Sequence, residues 1–119
     1  MNKNNIGKVG EQLTVQYLQE NKYDIICKNY FTKKGEIDII AVKQNTISFI
    51  EVKTRSNFKY GNPVDAVNYS KVNHIVNTAK IFLYKNRKYS NYEINIDVIE
   101  VMIRNGKCQF NHIKNILSY

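Results

Sequence analysis

The sequence predicts one α/β domain in which helices flank a mixed β-sheet, and three observations lead there. The chain has 119 residues, a length that buries roughly two-thirds of the unfolded surface around one core. Apolar residues make up 43% and charged residues 24%, globular values that exclude wholesale disorder. The hydrophobic period then switches between helical and strand spacing in the order α-β-β-β-α-β-β, with no repeat or linker between segments.

Ile6, Val9, Leu13 and Tyr17 recur at spacings of three and four, which predicts an amphipathic helix over residues 6–21. Glu11 falls on the flank of that face with Gly7, Thr14 and Leu18, where a side chain emerges beside the core. Residues 23–30 read as a short strand, broken over residues 31–35 by two lysines and a glycine. Residues 36–43 (EIDIIAVK) and 47–54 (ISFIEVKT) are rich in β-branched residues and flank Gln44-Asn45, the pattern of a hairpin. After a basic loop over residues 55–61, Asn62-Pro63 and Asp65 signal a helix start. The strongest helical period spans residues 70–85, with Val72, Ile75, Val76, Ala79, Phe82 and Leu83 on its core face. Residues 93–103 form a strand, and a turn at Asn105-Gly106 leads to a last one over residues 109–113.

The net charge is +8 and the pI near 9.5, which favours a polyanionic partner: DNA, RNA or an anionic surface. The cations are dispersed along the chain rather than gathered in a tail. No apolar run approaches the ~18 residues of a membrane span, and the first residues carry no signal-peptide core. Cys27 and Cys108 are isolated, so a reduced, cytoplasmic chain with both thiols buried is expected. His74 and His112 stand alone too, which argues against a zinc site.

The hairpin carries the chemistry. A two-residue loop at Gln44-Asn45 sets Asp38 opposite Glu51 and Glu36 opposite Lys53, with β-carbons about 4.5–5.5 Å apart. Alternation groups Glu36, Asp38 and Ile40 on one face with Phe49, Glu51 and Lys53, and leaves Ile37, Ile39, Ile50 and Val52 for the reverse face. Opposed like charges destabilise a sheet, so the pair calls for a cation. Mg²⁺ suits it, being held by one or two carboxylates with waters and phosphate oxygens. The alternative is a plain polar face alternating with an apolar one.

Asp38, a spacer and Glu51-Val52-Lys53 resemble the D…(D/E)-x-K core of the restriction-endonuclease-like nuclease superfamily. More closely, the chain resembles the YraN-like family of small bacterial proteins within that superfamily. The matching residues are Gly10-Glu11, Asn29, the GEIDII block from Gly35 to Ile40, and the FIEVKTR block from Phe49 to Arg55. Gly61, Asp65-Ala66-Val67, Lys71, Ala79 and Asp97-Val98 follow in order, so the likeness covers about residues 5–101. The two blocks together are specific.

That resemblance implies a restriction-endonuclease-like sheet and a Mg²⁺- or Mn²⁺-dependent nuclease core, similar to archaeal Holliday-junction resolvases. Asp38 and Glu51 would be metal ligands, Glu11 a third carboxylate or water-mediated ligand, and the Val52 carbonyl a further one. Lys53 would orient or activate the attacking water and offset charge on the transition state. Glu36 and Arg55 would flank the site, with Arg55, Lys33, Lys34 and Lys71 as nucleic-acid contacts. Two departures stand out: Ile37 replaces the superfamily's Pro, and Phe31 stands where many relatives carry Arg. Asp97 and Lys71 match without a catalytic role, and a salt bridge or core-edge hydrogen bond is expected of each. Tyr60, Tyr69 and Tyr84 are candidates for base stacking or for packing. The expected activity is endonucleolytic hydrolysis of DNA, branched or structured DNA included, with a homodimer implied by analogy. Two other classes remain open: a nucleic-acid-binding module that does not cut, and a basic scaffold for an acidic protein.

Overall fold

A computed structural model of the chain describes residues 3–55 and 69–117. Helix α1 (Lys3–Glu20) precedes strands β1 (Asp24–Thr32), β2 (Gly35–Lys43) and β3 (Thr46–Arg55). Helix α2 (Tyr69–Lys85), a 3₁₀ turn (Arg87–Tyr89), β4 (Glu93–Arg104) and β5 (Lys107–Ile113) follow. The five strands form one sheet in sequence order. All neighbours are antiparallel except β3 and β4. A parallel pair needs a crossover, and α2 lies in that connection. The expected α/β architecture, mixed sheet and element order are therefore present. Tyr60, Gly61, Asn62-Pro63 and Asp65-Ala66-Val67 lie outside the described residues.

The central strands are apolar on both faces because each face carries a helix. Ile75, Ala79 and Phe82 of α2 pack on Ile40, Val42, Ile47, Phe49, Ile96 and Val98. Leu18 of α1 packs on Ile39, Ala41, Ile50, Ile99 and Val101. Each fully buried side chain of this size contributes about 1.5–3 kcal/mol. Phe82 adds edge-on ring contacts to Tyr30 at 5.2 Å and Phe49 at 5.9 Å.

Three expectations change. The broad break after the first strand is a two-residue turn at Lys33-Lys34, with Thr32 paired to Gly35. Its register holds because Thr32 Oγ1 accepts the Lys34 N–H at 3.0 Å. Ile37 does not share a face with Ile39; it lies with Ile40 in the core under α2. Across the ladder on β1, Asn29 (φ 54°) sits between the pairs Lys28↔Ile39 and Tyr30↔Ile37. A left-handed residue there interrupts the strict alternation of the ladder. Finally, Cys27 is half-buried and Cys108 exposed, the latter on edge strand β5. The Asn105-Gly106 turn is as expected, with both residues at positive φ (52° and 72°), the requirement of a tight type I′ hairpin.

Asp97 is fully buried and makes the core-edge bonds expected of it. It accepts from His112 Nε2 and from the Asn115 N–H, both at 2.8 Å. Those bonds tie β5 and the residues after it to β4.

Candidate active site

Strands β2 and β3 pair from Lys43↔Thr46 up to Ile39↔Ile50, and there the ladder stops. Asp38 and Glu51 are the next opposed residues in this register, as the two-residue loop requires. Asp38 Oδ2 accepts the Val52 N–H at 2.8 Å, a side chain standing in for the missing backbone partner. The β2–β3 ladder ends before it reaches Glu36 and Lys53, and the pairing of Glu36 is with Phe31 on the β1 side. The expected Glu36–Lys53 pairing is thereby corrected.

On β3 the row facing α2 changes character at one residue. Ile47 and Phe49 belong to the core, and the alternate positions beyond them are Glu51, Lys53 and Arg55. The Glu51 side chain is only 6% exposed, and its Oε1 lies 2.8 Å from Lys71 Nζ and 3.5 Å from Lys53 Nζ. Lys71 comes from the first turns of α2. It makes the expected salt bridge, with a site carboxylate as partner.

The third carboxylate arrives from α1. A Cβ on Gly10 would fall 1.9 Å from Thr54 Oγ1, so only glycine lets the helix approach β3 this closely. The next residue is Glu11, half-buried and hydrogen-bonded by the Asn29 side chain. The φ of 54° at Asn29 thus serves the site as well as the sheet. Composition and periodicity gave no signal for this role; the only pointer was the position of Asn29 in the matched motif.

The acids repel. Burial, then the charge of Glu51, pushes the Asp38 carboxyl up to about 7, with Glu11 adding to the rise and the Val52 N–H opposing it. Burial, followed by the charge of Glu36, also raises Glu11, and the Asn29 hydrogen bond opposes that. Burial pulls the Lys71 ammonium down, but its hydrogen bond and ion pair with Glu51, helped by Asp38 and Glu36, leave it raised.

The remaining expected residues divide. Glu36 is exposed on β2 and acts through its charge on Glu11 and Lys71. Lys33 and Lys34 are exposed on the turn preceding Glu36, roughly 7–10 Å along the strand from it. Arg55 is held by Glu100, its Nε against Oε2, with 17% of the side chain exposed. Tyr69 and Tyr84 are 82% and 75% exposed, and the Arg87 guanidinium lies 6.0 Å from the Tyr84 ring centroid.

Among the described residues, no group of three or more His, Cys, Asp or Glu is placed to cage an ion unaided. The donor set nevertheless suits a hard dication. Mg²⁺ keeps most of its waters and takes one or two carboxylates, and Asp38 and Glu51 are two adjacent all-oxygen donors where the strands part.

The comparisons with known proteins point to one family. The model of the uncharacterised protein family UPF0102 matches residues 10–101. A UPF0102 protein of Alkaliphilus oremlandii is 46% identical over 116 residues, 97% of this chain and 98% of the relative. One from Clostridium perfringens is 45% identical over 112 residues, covering 92% and 91% of the two chains. One from Caldanaerobacter subterraneus is 37% identical over 118 residues, covering 99% and 96%. The span from Gly10-Glu11 through both strand blocks to Val101 lies inside the match, and the chain belongs to the UPF0102 (YraN) family.

Proposed function

We propose that the protein is a metal-dependent endonuclease of the restriction-endonuclease-like superfamily, hydrolysing phosphodiester bonds in DNA. One observation carries the reading: Asp38 and Glu51 are brought together where β2 leaves β3, with two lysine ammonium groups on Glu51. The register of the turn sets these two acids against each other at a cost in repulsion, and a dication would remove that cost. Asp38 and Glu51 would hold Mg²⁺ or Mn²⁺, and the cation supplies Lewis acidity at the scissile phosphate when bound.

The chain's own residues do the rest. Glu11 stands behind Asn29 and suits a water-mediated role. The Val52 N–H fixes one Asp38 oxygen, and a side-chain hydrogen bond links Asp38 to Glu51. Lys53, about one-quarter exposed, reaches both Glu51 and the open side, where its charge offsets negative charge growing on the transition state. Lys33 and Lys34 supply positive charge on the approach along β2.

A second reading, a nuclease-like fold that binds DNA without cutting it, draws on the same ion pairs. Glu51 Oε1 already has two ammonium neighbours, so the site is partly neutralised without a metal. A panel of branched and linear DNAs separates the two. Cleavage that requires Mg²⁺ or Mn²⁺ and disappears in Asp38→Asn and Lys53→Met is expected. Salt-sensitive binding that ignores metal and never yields a nick would establish the binding module. No DNA affinity at all, with an acidic protein co-purifying, would favour a scaffold.

A further inference from the structure

Lys71 holds a position that a DNA contact does not explain. Its Nζ lies 2.8 Å from Glu51 Oε1, although 43% of the side chain remains exposed. Lys53, tied to the same strand as Glu51, lies 3.5 Å from that oxygen. Two cations from different elements therefore serve one buried carboxylate, the one expected to hold the dication.

We propose that Lys71 is a positioning residue whose ammonium stands in for the divalent cation at Glu51, and that cation binding displaces it toward the DNA phosphate. The inference rests on the cation site proposed above. An ammonium and a dication compete for the same negative charge, so each weakens the other there. Lys71 is the one able to leave: its stem is flexible, 43% of its side chain is exposed against 28% for Lys53, and the arriving dication takes over the neutralisation of Glu51. Once released beside the site, its charge is available to a phosphate oxygen. Metal and DNA are then coupled through one side chain, each favouring the other.

The full chain titrated with Mn²⁺ in a calorimeter, without DNA, tests the competition. Lys71→Met is expected to tighten Mn²⁺ binding about tenfold, equivalent to about 1.4 kcal/mol. Lys71→Gln should behave alike, and Lys71→Arg should stay near the wild-type affinity. A purely structural role would weaken Mn²⁺ binding instead. DNA affinity supplies the second arm: Lys71→Met should weaken binding more in Ca²⁺ than in a chelator. If the wild type binds Mn²⁺ and both neutral variants bind it equally or less well, the displacement is refuted and the nuclease reading stands. If neither wild type nor variants bind Mn²⁺, the cation site itself is refuted and this inference with it.

Discussion

Gly10→Ala perturbs the contact that brings Glu11 to the strand carboxylates. The added Cβ would lie 1.9 Å from Thr54 Oγ1 and 2.9 Å from both Thr54 Cβ and Cγ2. Rotating Thr54 moves Oγ1 and Cγ2 but not Cβ, which is fixed to β3. Carbon atoms pack best about 3.5–4.0 Å apart, so α1 must retreat by roughly half an ångström or more even after Thr54 turns. Overpacking of this kind costs about 1–3 kcal/mol, against a gain of about 0.8–1 kcal/mol from replacing glycine inside a helix. The expected result is a net loss of up to about 2 kcal/mol. Gly7 lies on the same helix with nothing within 4 Å of its would-be Cβ, so Gly7→Ala should gain up to about 1 kcal/mol from propensity alone. Urea midpoints at unchanged m-value measure both. Thr54→Ala should recover part of the Gly10→Ala loss. If Gly10→Ala stabilises as Gly7→Ala does, the close approach is wrong and so is the placement of Glu11.

Two further outcomes follow from buried charge. The folded chain holds the Asp38 proton up to a pH of about 7 and the unfolded chain only to about 3.8. The native state therefore binds more protons at this carboxyl between those values, so the Asp38 contribution to stability is most favourable below about pH 4, falls as pH rises and levels above about 7. Asp38→Asn should accordingly stabilise the metal-free protein by on the order of 2–4 kcal/mol at about pH 8 and hardly at all near pH 4; equal melting shifts at both pH values would contradict this. Arg55→Ala strands the 4%-exposed Glu100 without the Arg55 ion pair, and denaturation should show a loss of about 3–5 kcal/mol. Glu100→Gln in the same background should restore much of it; weaker DNA binding at unchanged stability would make Arg55 a phosphate contact instead.

The hairpin register was legible because a two-residue loop fixes pairing and a one-residue slip would have sent Ile40 and Phe49 out of the core. The helices were legible for a similar reason: Ile75, Ala79 and Phe82 recur at helical spacing and all reach the core. What escaped was local backbone geometry. Nothing in the pattern says that Asn29 takes φ 54°, that Ile37 changes side, or that the ladder ends after Ile39↔Ile50. Each depends on contacts between residues distant in sequence. The partners of long charged side chains escaped for the same reason. Arg55 read as a DNA contact and Lys71 as either a DNA contact or an ion pair, and only folding shows Glu100 and Glu51 within their reach.

Asp38 carries two duties that must be separated before any loss of activity is assigned to chemistry. Where β2 leaves β3, the Val52 N–H would lack a strand partner, and the Asp38 carboxylate supplies the acceptor. A hydrogen bond to a charged group contributes about 1.5–3 kcal/mol, and an unsatisfied buried donor costs a similar amount. Asp38→Ala removes that acceptor together with the charge, so a loss of Mn²⁺ binding in that variant would report on the sheet as much as on the site. Asp38→Asn keeps a carbonyl for the Val52 N–H and removes only the anion. Asp38→Asn should therefore be the more stable of the two at about neutral pH, while both remove a proposed cation ligand. A cation site predicts that Asn is the more stable and equally unable to bind Mn²⁺. A carboxylate that served the fold alone would leave Asp38→Asn with wild-type Mn²⁺ binding.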